Sequence, residues 1–140
     1  MWRGVTAYDR PVATEDDVRR IALALPATTE DPNSLRFFVD GRAFAWSWLE
    51  RVDPKRARVP NPDVIAVRVG DESEKETLIE MDPQVFFTEP HYDGYPAILV
   101  RIPRIDVDLL QVILADAWRC RAPQRLLAEV PARGRRRGRP

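Results

Sequence analysis

The chain has one cysteine and one histidine in 140 residues, and these two scarcities exclude much metal and redox chemistry. A lone Cys120 rules out an internal disulfide, a Cys-x-x-Cys redox pair and a cysteine-built zinc site. A lone His91 rules out His-Glu-x-x-His and every other multi-histidine metal site. No apolar run approaches the ~20 residues needed to span a bilayer. The opening Met1-Trp2-Arg3-Gly4 lacks the apolar core of a signal peptide. The expectation is a soluble cytoplasmic protein with no membrane contact, no bound metal and no cofactor.

What is present is the material of one ordinary domain. Hydrophobic residues make up 44% of the chain, within the globular range. A chain of this length buries roughly two-thirds of its unfolded surface. The formal net charge of +0 hides an asymmetry. Arg133, Arg135, Arg136, Arg137 and Arg139 fall in the last ten residues, which hold no acid. Without those five, residues 1–130 carry 17 basic and 22 acidic groups, a net of −5. A mildly acidic body therefore carries a basic tail, which is either a solvated end or a sequence-independent hold on a polyanion.

Periodicity supplies the element order. Residues 1–13 read as a loose leader. Thr14 reads as an N-cap, with Glu15, Asp16 and Asp17 in the first turn complementing the helix dipole. Val18, Ile21, Ala22 and Leu25 then mark an amphipathic helix that Pro26 stops. Leu35 to Val39 reads as a strand, and Asp40-Gly41 as a two-residue hairpin. In Arg42 to Leu49, strict alternation puts Arg42, Phe44, Trp46 and Trp48 on one face.

Residues 50–63, with Pro54, Pro60 and Pro62, read as an irregular loop, and Val64 to Val69 as a strand. Asp71-Glu72-Ser73-Glu74 reads as a capping box opening a short helix to about Met81. Val85-Phe86-Phe87 is a brief strand, and Ala97 to Ile102 a clear one. Asp106 caps a long helix with a buried stripe of Leu110, Ile113, Leu114, Ala117 and Trp118. Pro123 ends that helix, and Gln124 to Glu129 adds one more turn. The predicted fold class is α+β: a two-layer sandwich whose antiparallel sheet carries the N- and C-terminal helices on one face. Residues 14–123 form the single domain, followed by the turn and tail at 124–140.

Several segments carry a family resemblance. Leu25-Pro26 followed by Glu30, and the hairpin Gly41-Arg42-Ala43-Phe44-Ala45, are two of them. Phe86-Phe87, Pro90-His91-Tyr92 and Gly94-Tyr95-Pro96-Ala97 form the most distinctive stretch; Leu109, Leu110 and Ala117-Trp118 complete the set. On these the sequence resembles the MmcQ/YjbR family, small bacterial proteins described as DNA-binding. The resemblance spans roughly residues 14–123. It implies a frataxin-like, or double-wing, α+β sandwich. The Pro-rich loop at 50–63 looks longer than the family's, and the Arg tail lies outside the match.

The leading expectation is a non-enzymatic DNA-binding protein, weak and sequence-tolerant. If Arg42, Trp46 and Trp48 occupy the sheet face that no helix covers, they form a basic-aromatic platform that Arg68 and Arg101 would join. If they point beneath the helices, they are core. Lys55, Arg56 and Arg58 are candidate phosphate contacts in the loop, and Arg135, Arg136 and Arg137 in the tail. Tyr92 and Tyr95 either stack on bases or lock their loop onto the sheet.

His91, beside Glu89 and Asp93, is a binding or turn residue: no nucleophile, base and oxyanion donors assemble around it, so no enzyme is expected. Frataxins bind iron at an acidic helix edge, yet dipole complementarity suffices to explain Glu15-Asp16-Asp17. A pI near 6.6, well below the pI > 9 typical of DNA-binding domains, weighs against the nucleic-acid reading. A protein-interaction module using the sheet face or the His/Tyr loop is the alternative. A small-ligand or metal binder, which needs a concave pocket at His91, is the third.

Overall fold

The computed structural model describes residues 11–131. Nine regular elements run in the order α1 (Glu15–Ala24), β1 (Thr28–Glu30), β2 (Arg36–Val39), β3 (Arg42–Glu50), β4 (Val59–Arg68), α2 (Glu72–Met81), β5 (Phe86–Phe87), β6 (Ala97–Arg101) and α3 (Val107–Arg121). The six strands form one sheet in the order β1-β2-β3-β4-β6-β5, with every neighbouring pair antiparallel. The α+β sandwich expected from the sequence is present.

Capping side chains start the helices where the sequence places them. The Thr14 hydroxyl accepts from the Asp17 amide while an Asp17 carboxylate oxygen accepts from the Thr14 amide, a complete capping box. Asp71 and Asp106 accept from the Glu74 and Leu109 amides in the same way. The reciprocal half of the Asp71 box is displaced by one residue: Glu74 accepts from Gly70, not from Asp71.

The main core lies between the sheet and α1 and α3. Val18, Ile21 and Ala22 of α1 meet Leu110, Leu114, Ala117 and Trp118 of α3 over Phe37, Val39, Ile65, Val67, Ile98 and Val100. Trp118 is fully buried, and its indole N–H donates to the Pro26 carbonyl at 2.9 Å, tying α3 to the end of α1. Gln124–Glu129 forms a 3-10 turn whose Leu126 and Leu127 pack on this core, and Arg119 donates to the Leu127 and Val130 carbonyls. Packing therefore continues past Pro123. The end of the leader is also tied down, for Ala13 is buried and its amide donates to the Ile105 carbonyl.

Three sequence expectations need correction. Residues 59–63 are the start of β4, not loop, so the irregular connection shortens to 51–58. Pro60 and Pro62 are tolerated because β6 pairs only with Val64–Arg68, leaving one side of the earlier segment without a ladder to break. A three-residue edge strand, β1, went unpredicted, being too short to show periodicity.

The largest correction concerns β3. Phe37 pairs with Ala45 but Phe38 pairs with Ala43, so Phe44 is the extra residue of a β-bulge. The bulge breaks strict alternation. Phe44 joins Ala45 in the helix-side core, while Trp46 and Trp48 face the other way with Val64, Ala66, Ala97 and Leu99. Arg42 pairs with Val39 of the helix-side core and so leaves the Trp face.

Trp118→Phe should lower stability by about 2–3 kcal/mol, from lost buried area and loss of the indole hydrogen bond to the Pro26 carbonyl, which keeps only the longer bond from the Thr28 hydroxyl. Urea unfolding reads it as a lower midpoint at unchanged slope.

Candidate functional site

The sheet face opposite α1 and α3 is covered only by side chains and one loop. A small second core of Val64, Ala66, Tyr92, Ala97 and Leu99 lies there, flanked by half-buried Trp46, Trp48 and Phe87. Residues 88–96 fold back over it. Within them, Pro90–Tyr92 form a 3-10 turn, and Gly94 at φ +75° occupies a left-handed conformation that glycine tolerates best.

One buried cation holds this loop. Lys75 of α2 is 1% exposed, and its Nζ donates to the Tyr92 carbonyl at 2.6 Å and the Tyr95 carbonyl at 2.9 Å. Glu72 lies 3.8 Å from the same ammonium. The ammonium thus gathers the two ends of the Asp93-Gly94 turn, and the turn presents its aromatic rings to the sheet.

The rings interlock. The Trp46 indole N–H donates to the Tyr92 hydroxyl at 3.1 Å. Tyr95 meets Trp46 and Tyr92 edge-on, with centroids 6.4 and 5.9 Å away. Arg68 lies 5.4 Å above the Tyr95 ring and donates to its hydroxyl at 3.3 Å. Tyr92 is buried while Tyr95 stays 43% exposed, so Tyr95 is the accessible ring of the group. Burial pushes the Tyr92 phenol up, with the Trp46 hydrogen bond opposing.

Around these rings runs a groove of two connected clefts. The first, about 660 Å³, is lined by Arg36, Ala43, Trp46, Arg68, Arg121 and residues 91–95. The second, about 530 Å³, shares Arg36, Trp46, His91 and Tyr92 and extends past Arg58, Pro60 and Pro62 to Glu15. Their volumes fall within the range of small-molecule sites. The surface at His91 is therefore concave.

Of the sequence-predicted residues, Trp46, Arg68, His91, Tyr92 and Tyr95 meet in the first cleft, and Arg58 lines the second. Arg42, Lys55, Arg56 and Arg101 line neither. The bulge carries Arg42 away. Arg56 stays within its loop, paired with Asp53 at 3.5 Å, and the Lys55 amide donates to the same aspartate. Arg101 shares the sheet face but stacks 4.0 Å over Phe87 and donates to the Pro83 and Gln84 carbonyls. Arg135, Arg136 and Arg137 lie outside the described residues.

Sequence reasoning missed Arg36, Arg121 and Lys75. Arg36 pairs across β2 and β3 with Trp46, which alternation within β2 alone does not reveal. Cys120, flanked by arginines, has its thiol pushed up: burial and then Glu74 outweigh the lowering by Arg68 and Arg121. The acidic first turn of α1 is engaged locally, Asp17 in its capping box and with Arg20, Glu15 and Asp16 beside Arg19.

These features define a two-layer α+β sandwich domain with a basic-aromatic groove that runs from its helix-free face to the first residue of α1 and the last residue of α3. Residues 23–120 match the YjbR family model, and the chain belongs to that family, the MmcQ/YjbR family. It is 41% identical over 123 residues to uncharacterized proteins of Mycobacterium tuberculosis and Mycobacterium bovis, a match covering 83% of this chain and 94% of theirs. The fold is similar to the crystal structure of a Deinococcus radiodurans protein with the family-model domain DUF419. That match has a TM-score of 0.57 and 23% identity, covering 77% of this chain and 78% of the other.

Two outcomes are expected. Lys75→Met leaves two loop carbonyls without their cationic donor and should cost about 2–4 kcal/mol. Hydrogen exchange should show the Tyr95 and Ala97 amides losing protection before those of Ile98 and Val100. Tyr92 has a raised folded pKa, so its contribution is complete below its ordinary value of 10.0 and is lost as pH rises through the folded value. Tyr92→Phe should flatten that alkaline loss in a stability–pH profile.

Proposed function

We propose that the chain binds single-stranded nucleic acid, weakly and without sequence preference, in the groove that opens from the helix-free sheet face, and that it catalyses no reaction. One observation carries this reading: Arg36, Arg68 and Arg121 line the same cleft as Trp46, Tyr92 and Tyr95. Guanidinium groups hold phosphates and an exposed ring accepts a base face, the combination that suits a strand whose bases are unpaired.

Charge supports it locally. Residues 1–130 are net negative, yet four arginines line the groove against Glu15 and Asp93. A concave basic surface on an acidic body concentrates its field where the ligand enters. Duplex DNA fits less well because its base faces are stacked inside the helix. The DNA-binding description of the MmcQ/YjbR family agrees with this reading, and DNA is the ligand of choice for the first test. The tail arginines, Arg133 to Arg139, add sequence-independent attraction in the same direction.

Fluorescence anisotropy with labelled single- and double-stranded DNA across a salt series tests the proposal. Single strands should bind more tightly than duplex. Tyr95→Ala should weaken single-strand binding roughly 5- to 150-fold, the equivalent of about 1–3 kcal/mol of stacking. Arg68→Gln should lower the log–log salt slope by about 0.7. Equal affinity for both forms, unmoved by Tyr95→Ala, contradicts the groove as the site.

A further inference from the structure

The two clefts of the groove are not equivalent. The first lies where β3 begins and β4 ends, and Arg121, the last residue of α3, lines it alone. It gathers Arg36, Arg68 and Arg121 against a single carboxylate, Asp93. The second sets Arg36 and Arg58 against Glu15 among proline and leucine side chains. Positive charge therefore peaks in the first cleft.

Asp93 is one carboxylate against three cations. Among the described residues, no carboxylate forms a salt bridge with Arg36, Arg68 or Arg121. The Arg121 Nε is buried with no hydrogen-bond acceptor. Burial first, then the charges of Arg68 and Arg42, lower the basicity of its guanidinium. Like charges held together without an anion are unfavourable, and a buried donor without an acceptor costs free energy. The crowding of like charges is relieved by a compact anion with several acceptor oxygens.

The degree of charge selects the anion. A phosphodiester inside a strand carries one negative charge. A phosphomonoester carries about −1.5 to −2 at neutral pH and three acceptor oxygens. Guanidinium forks match that geometry in a way that point charges do not. Trp46, Tyr92 and Tyr95 stand in the same cleft, where a base joined to that phosphate would lie. The cleft volume of about 660 Å³ accommodates a nucleotide.

We propose that the Arg36–Arg68–Arg121 cleft is a pocket for the phosphomonoester of a nucleotide, occupied by the phosphorylated end of a single strand. The inference deepens the nucleic-acid reading of the groove and rests on it. The same chemistry is offered by a free nucleoside monophosphate, and the experiment separates the two sources.

The test uses the full chain. Anisotropy compares labelled oligothymidylates bearing a 5′-phosphate, a 3′-phosphate or hydroxyl ends. Calorimetry measures thymidine monophosphate, thymidine and inorganic phosphate. A phosphorylated strand should bind at least about tenfold more tightly than the hydroxyl-ended one, the worth of a charge-assisted hydrogen bond. Arg121→Gln should abolish that preference, Arg121→Lys should retain part of it, and Asp93→Asn should enlarge it. An unchanged thermal midpoint shows that the variants are folded.

Strands that bind equally whatever their ends overturn the pocket and leave the nucleic-acid reading standing. Thymidine monophosphate binding that Arg121→Gln abolishes, with no strand bound, supports the pocket and overturns the strand as its source. Binding of neither strand nor monophosphate overturns both.

Discussion

A single ammonium group, Lys75 Nζ, organises the helix-free side of this molecule. It is buried, and burying a charge is costly unless strong acceptors surround it. The Tyr92 and Tyr95 carbonyls supply them, with Glu72 nearby. Lys75 belongs to α2, whose Leu78 and Ile79 pack against the main core. Lys75 thus ties the carbonyls of the loop at 88–96 to the rigid part of the domain, beside the backbone bond from the Val69 amide to the Pro96 carbonyl. Its rings then hold position on Trp46 through the indole–phenol hydrogen bond and the edge-on contact with Tyr95. Without that ammonium, the loop would keep only its ring contacts and the Val69–Pro96 backbone bond.

The second constraint is the bulge at Phe44. A strand obeying strict alternation would send Phe44 to the same side as Trp46 and Trp48. The extra residue returns Phe44 to the helix-side core, where it is fully buried, and leaves the tryptophans opposite. Core packing and groove formation are therefore compatible within one strand. Bulges commonly re-aim side chains next to functional surfaces. Here the result is a sheet with a dry face under two helices and an aromatic face open at its edges.

Much of the fold was legible because its signals are local. Thr14, Asp71 and Asp106 announce helix starts through short-range hydrogen bonds, and Ile98, Val100 and Ile102 announce a strand face by period. The candidate site was legible only in part. Trp46, Arg68, His91, Tyr92 and Tyr95 stand out by residue type and alternation. Arg36 and Arg121 do not, since a strand pairing and the end of a distant helix bring them there. Lys75 sits in a run of acidic residues and reads as a surface lysine; only the tertiary fold buries it. Arg42 shows the opposite error, a correct period defeated by one inserted residue. Fold membership alone does not carry a function, so the groove has to be tested as a site.

The most direct test is an amide and indole NMR titration of the full chain with a short oligothymidylate. Three indole N–H groups report distinct places: Trp46 is bonded to Tyr92 in the groove, Trp48 is buried without a partner, and Trp118 is bonded to Pro26 beneath the helices. The account predicts saturable shifts at the Trp46 indole and at the Arg36, Arg68, Tyr95 and Arg121 amides, with the Trp118 indole unmoved. Shifts confined to residues 51–58 or to the tail, with Trp46 silent, would contradict it.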